Sequence, residues 1–224
     1  TTRTAAPATA RHRSSDRRTR DRGDPRDAGQ AGLVVTAPKV VAEFGQTMKG
    51  SIEVAHRQVE IAAQAGCWGY KTQLIDPVTI ARQDAPLYWK HGAPTDTQRD
   101  VFERAGIIDY SDWIDVAAHA RMLGLEFVAT PFDLAAVDAM ATWPLLPVFK
   151  VASGDITNVP LLRSVANVYA HRAPKDHPLI VSTGASNMAE VIAARRVLID
   201  GGLDDEQVVW LACTLAYPTL PADA

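Results

Sequence analysis

Apolar positions along this chain fall into two alternating patterns. Short runs, often β-branched, occur at Val40–Phe44, Gly69–Gln73, Glu126–Thr130, Val148–Ala152, Leu179–Ser182 and Val208–Thr214. Runs of this kind are expected for parallel strands covered on both faces. Between them the apolar spacing changes to that of helices. Ile52, Ala55, Val59, Ala62 and Ala63 make one stripe behind a capping Ser51, with Gly66 as the stop. Ser111 to Gly124 repeats the design, with Trp113, Ile114, Ala117 and Ala120 facing inward and His119 turned to solvent. Leu134 to Trp143 is a shorter helix, and Pro160 sits in the first turn of the next. Asn187 and Glu190 form a capping box for a last helix that stops at Gly201-Gly202.

Strand starts lie roughly 22 to 31 residues apart, with one gap of about 57, the rhythm of βα units joined by right-handed crossovers. The long gap holds an insertion, Ile75–Tyr110, read as an ordered loop with Pro77, Tyr88, Trp89, His91 and Pro94. Such loops often bear substrate contacts. The expected fold class is therefore α/β: either an open six-stranded sheet or a (β/α)8 TIM barrel, incomplete here, with about six βα units.

Charge divides the chain in two. Residues 1–30 hold eight Arg and four Asp, so the 224-residue chain is net −3 while the part beyond residue 30 is net −7. An acidic body disfavours a nucleic-acid surface. Residues 1–36 bury too little apolar surface to order themselves and read as a disordered, Arg-rich tail, leaving 37–224 as the folded domain. No apolar run approaches the roughly 20 residues that span a bilayer. The two cysteines, Cys67 and Cys213, have no C-x-x-C spacing, which fits a reducing cytoplasm. His56 and His171, like His119, fall on helices or helix ends facing solvent, and no histidine pair has ligand spacing.

Chemistry concentrates where the strands end: Glu43-Phe44-Gly45, Lys71-Thr72-Gln73, Thr130-Pro131-Phe132-Asp133, Lys150 with Ser153-Gly154-Asp155, Ser182-Thr183-Gly184, and Cys213-Thr214 before Tyr217-Pro218. A lysine inside a buried strand is costly to desolvate unless an anion neutralises it. Two lysines with two hydroxyl-glycine turns at helix entrances make a cradle for phosphate plus carboxylate. Each lysine could equally be a structural one paired with Glu43. Lys71 or Lys150 could also act as a Schiff-base nucleophile in a keto-acid aldolase.

These motifs, together with Ala42-Glu43-Phe44-Gly45, Gly50-Ser51 and the run from Lys150 through Asn158-Val159-Pro160-Leu161, resemble the N-acetylneuraminate (sialic acid) synthase family from about Val40 to the last residue. The resemblance implies a TIM barrel that condenses phosphoenolpyruvate with an N-acyl hexosamine to a sialic or related nonulosonic acid, releasing phosphate. It implies Lys71, Lys150, Ser153 and Ser182 around phosphoenolpyruvate, and Gln73, Thr130, Phe132, Asp155 and Tyr217 at the sugar. Glu43 would handle water or a proton. It further implies a divalent metal, manganese or magnesium, bound by histidines expected beyond residue 224, and a homodimer. Three positions depart from the family pattern: Thr47-Met48 replaces Asn-His, Asp155 replaces Glu, and Leu215 stands where Asn or Ser is usual. An inactive, degenerate relative that binds an anionic metabolite is the non-enzymatic alternative.

Overall fold

The computed structural model describes residues 37–87, 95–216 and 219–222. The expectations for the tail at 1–36, and for Tyr88, Trp89, His91, Pro94, Tyr217 and Pro218, fall outside them. Six strands form one sheet: β1 (Val41–Gly45), β2 (Gly69–Leu74), β3 (Glu126–Pro131), β4 (Val148–Val151), β5 (Leu179–Ser182) and β6 (Val208–Leu211). They pair in chain order, every neighbour parallel. Each step from one strand to the next therefore needs a crossover, and helices supply them. These are α1 (Ile52–Gln64), α2 (Pro77–Ile80), α3 (Gln98–Ala105), α4 (Trp113–Met122), α5 (Leu134–Thr142), α6 (Val159–Arg172) and α7 (Met188–Asp200). Sequential parallel order is the topology of a (β/α) barrel wall. Among the described residues β1 and β6 each pair with one strand only.

Side chains alternate between the two faces of the sheet. Tyr70, Phe127, Ala129, Phe149, Val151 and Val181 point outward and join Val59, Trp113, Trp143, Leu162 and Val165 in the main core. Phe127 is its hub, with ring centroids 5.7 Å from Tyr70 and 6.0 Å from both Trp113 and Trp143. Aromatic pairs in this range contribute about 0.5–1.5 kcal/mol each beyond the area they bury. The inner face has a much smaller apolar cluster of Val128, Val148 and Ile180, with Val41 and Trp68 packed on it.

Most local signals act as expected. The Ser51 hydroxyl accepts from Val54 N at 3.3 Å, and Gly66, at φ +70°, follows the end of α1. Asn158 accepts from Leu161 N at the head of α6, and Asn187 and Glu190 cap α7 reciprocally at 2.8 and 3.1 Å.

Four expectations are corrected. The insertion at 75–110 is not simply a loop: Asp76 caps α2, whose first residue is Pro77, and a Thr97–Asp100 capping box starts α3. The helix expected from Ser111 begins at Trp113, because Ser111 is used in a turn that its carbonyl closes with Ile114 N. The sixth strand ends at Leu211 rather than Thr214. There the Thr183 N–H and hydroxyl both bond to the Leu211 carbonyl, at 3.2 and 2.9 Å, and close the ladder. Finally, His56 and His119 turn toward each other rather than out into solvent, and each is only partly exposed. The packing of α1 on α4 half-buries both and brings their Nδ1 atoms to 2.9 Å.

Candidate active site

Register assembles the site. Glu43 lies opposite Lys71, Gln73 opposite Thr130, Lys150 opposite Ile180, and Ser182 opposite Leu211. The two-residue period then puts Glu43, Lys71, Gln73, Thr130, Lys150 and Ser182 on the inner face, near the C-terminal strand ends. A cavity of about 330 Å3 reaches Lys71 and Lys150 from the N-terminal side of the strands, where Lys39, Trp68, Pro178 and Val209 join its wall.

At β1 the ladder slips between Glu43 and Gly45. Gly45 takes φ +54°, and its N–H donates to Glu43 Oε1 at 2.6 Å. The other carboxylate oxygen, Oε2, accepts from the Lys71 ammonium. Lys71 is only 8% exposed. Its burial, with repulsion from Lys150, brings its pKa down to about 7. Lys150 is also depressed, first by burial, while the charges of Cys213 and Asp155 oppose the shift.

The fourth strand leads into a single 3-10 turn, Ser153–Asp155, before Asn158 starts α6. The Ser153 hydroxyl accepts from Gly184 N at 3.2 Å and so ties the fourth strand end to the fifth. A side chain at 184 has no room: its Cβ would lie 2.8 Å from Cys213 Cβ and 3.1 Å from Ser153 Oγ. Burial would raise the Cys213 thiol, but contacts from Ser182, the Thr183 backbone, Ser153 and Lys150 outweigh it and hold the thiol below its ordinary value. A cluster of donors that lowers a thiol in this way would favour any anion placed there. Asp155 is raised by burial, against a hydrogen bond from Asn158 and the charge of Lys150.

Glu43, Lys71, Lys150, Ser153, Ser182 and Asp155 thus form one connected neighbourhood. Thr130 is 1% exposed, and its hydroxyl has no hydrogen-bond partner among the described residues. The Gln73 carbonyl is held by Gln46 Nε2 at 2.7 Å. Phe132, half-buried just past β3, does not line the cavity. The Thr47-Met48 departure is structural. Met48 is 1% exposed in the core, and the Thr47 hydroxyl accepts from Gln58 Nε2 at 3.1 Å.

Sequence reasoning missed Gln46 as a positioning group, and named Cys213 at the sixth strand end without giving it a role in the cradle. The position of Cys213 at the sixth strand end, level with the Ser153 and Ser182 turns, was the available signal. Among the described residues no three His, Cys, Asp or Glu side chains converge. The divalent metal implied by the resemblance finds no such ligand set among them. No helix among the described residues is long and apolar enough to cross a membrane.

Known proteins resemble this chain in sequence and in fold. The chain is 30% identical over 182 residues to an N,N'-diacetyllegionaminic acid synthase of Campylobacter jejuni, covering 80% of this chain and 52% of that protein. It is 27% identical over 196 residues to an N-acetylneuraminate-9-phosphate synthase of Drosophila melanogaster, covering 86% of this chain and 50% of the relative. The chain thus spans about half the length of these relatives. Its fold matches an N-acetylneuraminic acid synthetase from Leptospira borgpetersenii with a TM-score of 0.69 at 20% identity, over 84% of this chain and 58% of the other. The NeuB family model matches residues 58–224, which is most of the described sheet, and this chain belongs to the NeuB family.

Proposed function

We propose that this chain contributes the phosphoenolpyruvate side of a condensing enzyme that builds a sialic or related nonulosonic acid. The carrying observation is the lysine pair on the inner face, Lys71 and Lys150, with Lys150 linked through Cys213 to the Ser153–Ser182–Gly184 cradle. A ligand with both phosphate and carboxylate matches two cations and a ring of neutral donors better than one with a single anionic group. C3 of phosphoenolpyruvate attacks the open-chain aldehyde of an N-acyl hexosamine, forming the carbon–carbon bond. Water adds at C2, the C2–O bond breaks and phosphate leaves. Glu43, held by Gly45 N and Lys71, is placed to take a proton or orient that water. Gln73, Thr130, Phe132, Asp155 and Tyr217 fall to the sugar side. A cytoplasmic homodimer, with residues 1–36 as a tail on the 37–224 domain, completes the reading.

Incubating the protein with phosphoenolpyruvate, N-acetylmannosamine and Mn2+ is expected to release inorganic phosphate. A folded protein that releases none with any N-acyl hexosamine would count against the reading.

One observation favours a second reading. A lysine brought down to about 7 has a substantial neutral fraction at neutral pH and is a competent amine nucleophile. A Schiff-base aldolase would be trapped by borohydride in the presence of pyruvate, adding mass at Lys71. The condensing enzyme would not.

A further inference from the structure

Away from the strand ends, His56 of α1 and His119 of α4 face each other across the helix seam. Their Nδ1 atoms are 2.9 Å apart, the ring centroids 5.0 Å, and the ring planes are inclined at 44°. Ala55, Val59, Val116, Ala117 and Ala120 are buried on the same two helices and fix how closely these can approach. Both imidazoles remain half-exposed, which leaves a path from solvent. Two neutral rings can make this contact only if one Nδ1 bears the proton and the other offers its lone pair. If both neutral rings keep their protons on Nε2 instead, two lone pairs face one gap.

Imidazole nitrogen suits borderline first-row divalent ions, with bonds of roughly 2.0–2.1 Å. Two nitrogens 2.9 Å apart at that bond length subtend about 90° at the ion, whereas a tetrahedral ion needs them about 3.3 Å apart. A right angle is the cis angle of square-planar and tetragonal coordination, the preference of Cu(II) and Ni(II). We propose that His56 and His119 form a two-imidazole site for a tetragonal divalent cation of the copper or nickel class, on the α1–α4 seam. Each ring binds through Nδ1 and keeps its proton on Nε2, so neutral rings release none, and water fills the remaining positions. Glu53, one turn before His56, is engaged by the Ser51 hydroxyl at 2.7 Å and does not join the set. The site stands on α1 and α4 alone and is independent of the chemistry proposed for the strand ends.

The full chain is titrated with Ni2+ and with Cu2+ by calorimetry, and thermal unfolding is followed with and without the ion. One equivalent is expected to bind and raise the unfolding midpoint, with Zn2+ binding less tightly than Cu2+. His56→Ala and His119→Ala should each weaken binding by at least about tenfold, the lower bound for loss of even an outer-shell partner. His171→Ala, on the exposed end of α6, should not. In the unaltered chain, Ni2+ should broaden the imidazole resonances of His56 and His119 first. Absence of binding, binding unchanged in both alanine variants, or broadening confined to other histidines would overturn the proposal, leaving only a shared proton.

Discussion

The ammonium of Lys71 on β2 meets the carboxylate of Glu43 directly across the ladder on β1, and the two are register partners. Strand pairing alone therefore sets this contact before any ligand arrives. The pair is unequal: the Lys71 side chain is 10% exposed and that of Glu43 is 41% exposed. The lysine bears most of the desolvation, and Lys150 adds repulsion, which is why its pKa drops to about 7.

That depression has a definite sign. In the unfolded chain Lys71 returns to about 10.4. Between pH 7 and pH 10 the unfolded state therefore binds more protons at this site, and stability rises with pH. The unfolding midpoint of the native chain should climb from pH 7 to 9, and Lys71→Met should flatten that slope. Phosphoenolpyruvate binding should take up protons near pH 7.5, measured by calorimetry in two buffers of different ionisation enthalpy. A native midpoint that does not rise would refute the assignment.

Among the described residues Lys150 has no carboxylate in hydrogen-bond contact; Asp155 and Cys213 act on it through their charge. Replacing it by Met removes a partly buried cation, and the fold should lose nothing. Anion binding should suffer instead. A hydrogen bond to a charged group contributes about 1.5–3 kcal/mol, so the Kd for phosphoenolpyruvate should rise about 10- to 150-fold. Equal affinity in Lys150→Met and the native chain would remove Lys150 from the site.

The strand ends were legible because parallel pairing and a period of two need only the order of residues. Glu43, Lys71, Lys150 and Ser182 followed from that alone. The His56–His119 contact was not legible, since it depends on how two helices turn about their axes, and neither helix reveals its neighbour. The end of β6 was misplaced for a related reason. Val208–Cys213 is apolar throughout, but the ladder stops where Thr183 claims the Leu211 carbonyl. Likewise Thr47-Met48 reads as a departure at the site, yet Met48 is a core residue and Thr47 belongs to a chain through Gln58 to Tyr70. Asp155 does sit by Lys150, as its motif required.

Gly184 tests the cradle by volume. In Gly184→Ala the new methyl would lie 2.8 Å from Cys213 Cβ, 3.1 Å from Ser153 Oγ and 3.2 Å from Leu215 Cδ2. Overpacking of this kind costs about 1–3 kcal/mol. Because Cys213 and Leu215 are exposed, the 213–215 segment should move rather than the core. The expected result is a small fall in thermal midpoint with a large loss of phosphate and phosphoenolpyruvate binding. Adding Cys213→Gly removes the nearest atom and should recover part of that binding. Without any recovery, the loss would have another origin.

Tyr169 separates support of the site from membership in it. It is 2% exposed, its hydroxyl donates to the Pro178 carbonyl at 2.8 Å, and it accepts from Phe149 N at 2.9 Å. One α6 side chain thereby joins the segment entering β5 to β4, one residue before Lys150. Tyr169→Phe keeps the ring and strips both bonds, leaving a buried N–H and a carbonyl without their partner. The expected cost is about 1–3 kcal/mol for each group left fully unsatisfied, read from urea unfolding. Phe149 and Val151 are held in the core by packing on both sides, so the position of Lys150 should survive. Phosphoenolpyruvate affinity should then match the native chain below the unfolding transition. A drop in affinity comparable to that of Lys150→Met would mean that the Tyr169 hydroxyl sets the lysine's position as well as the stability of the sheet.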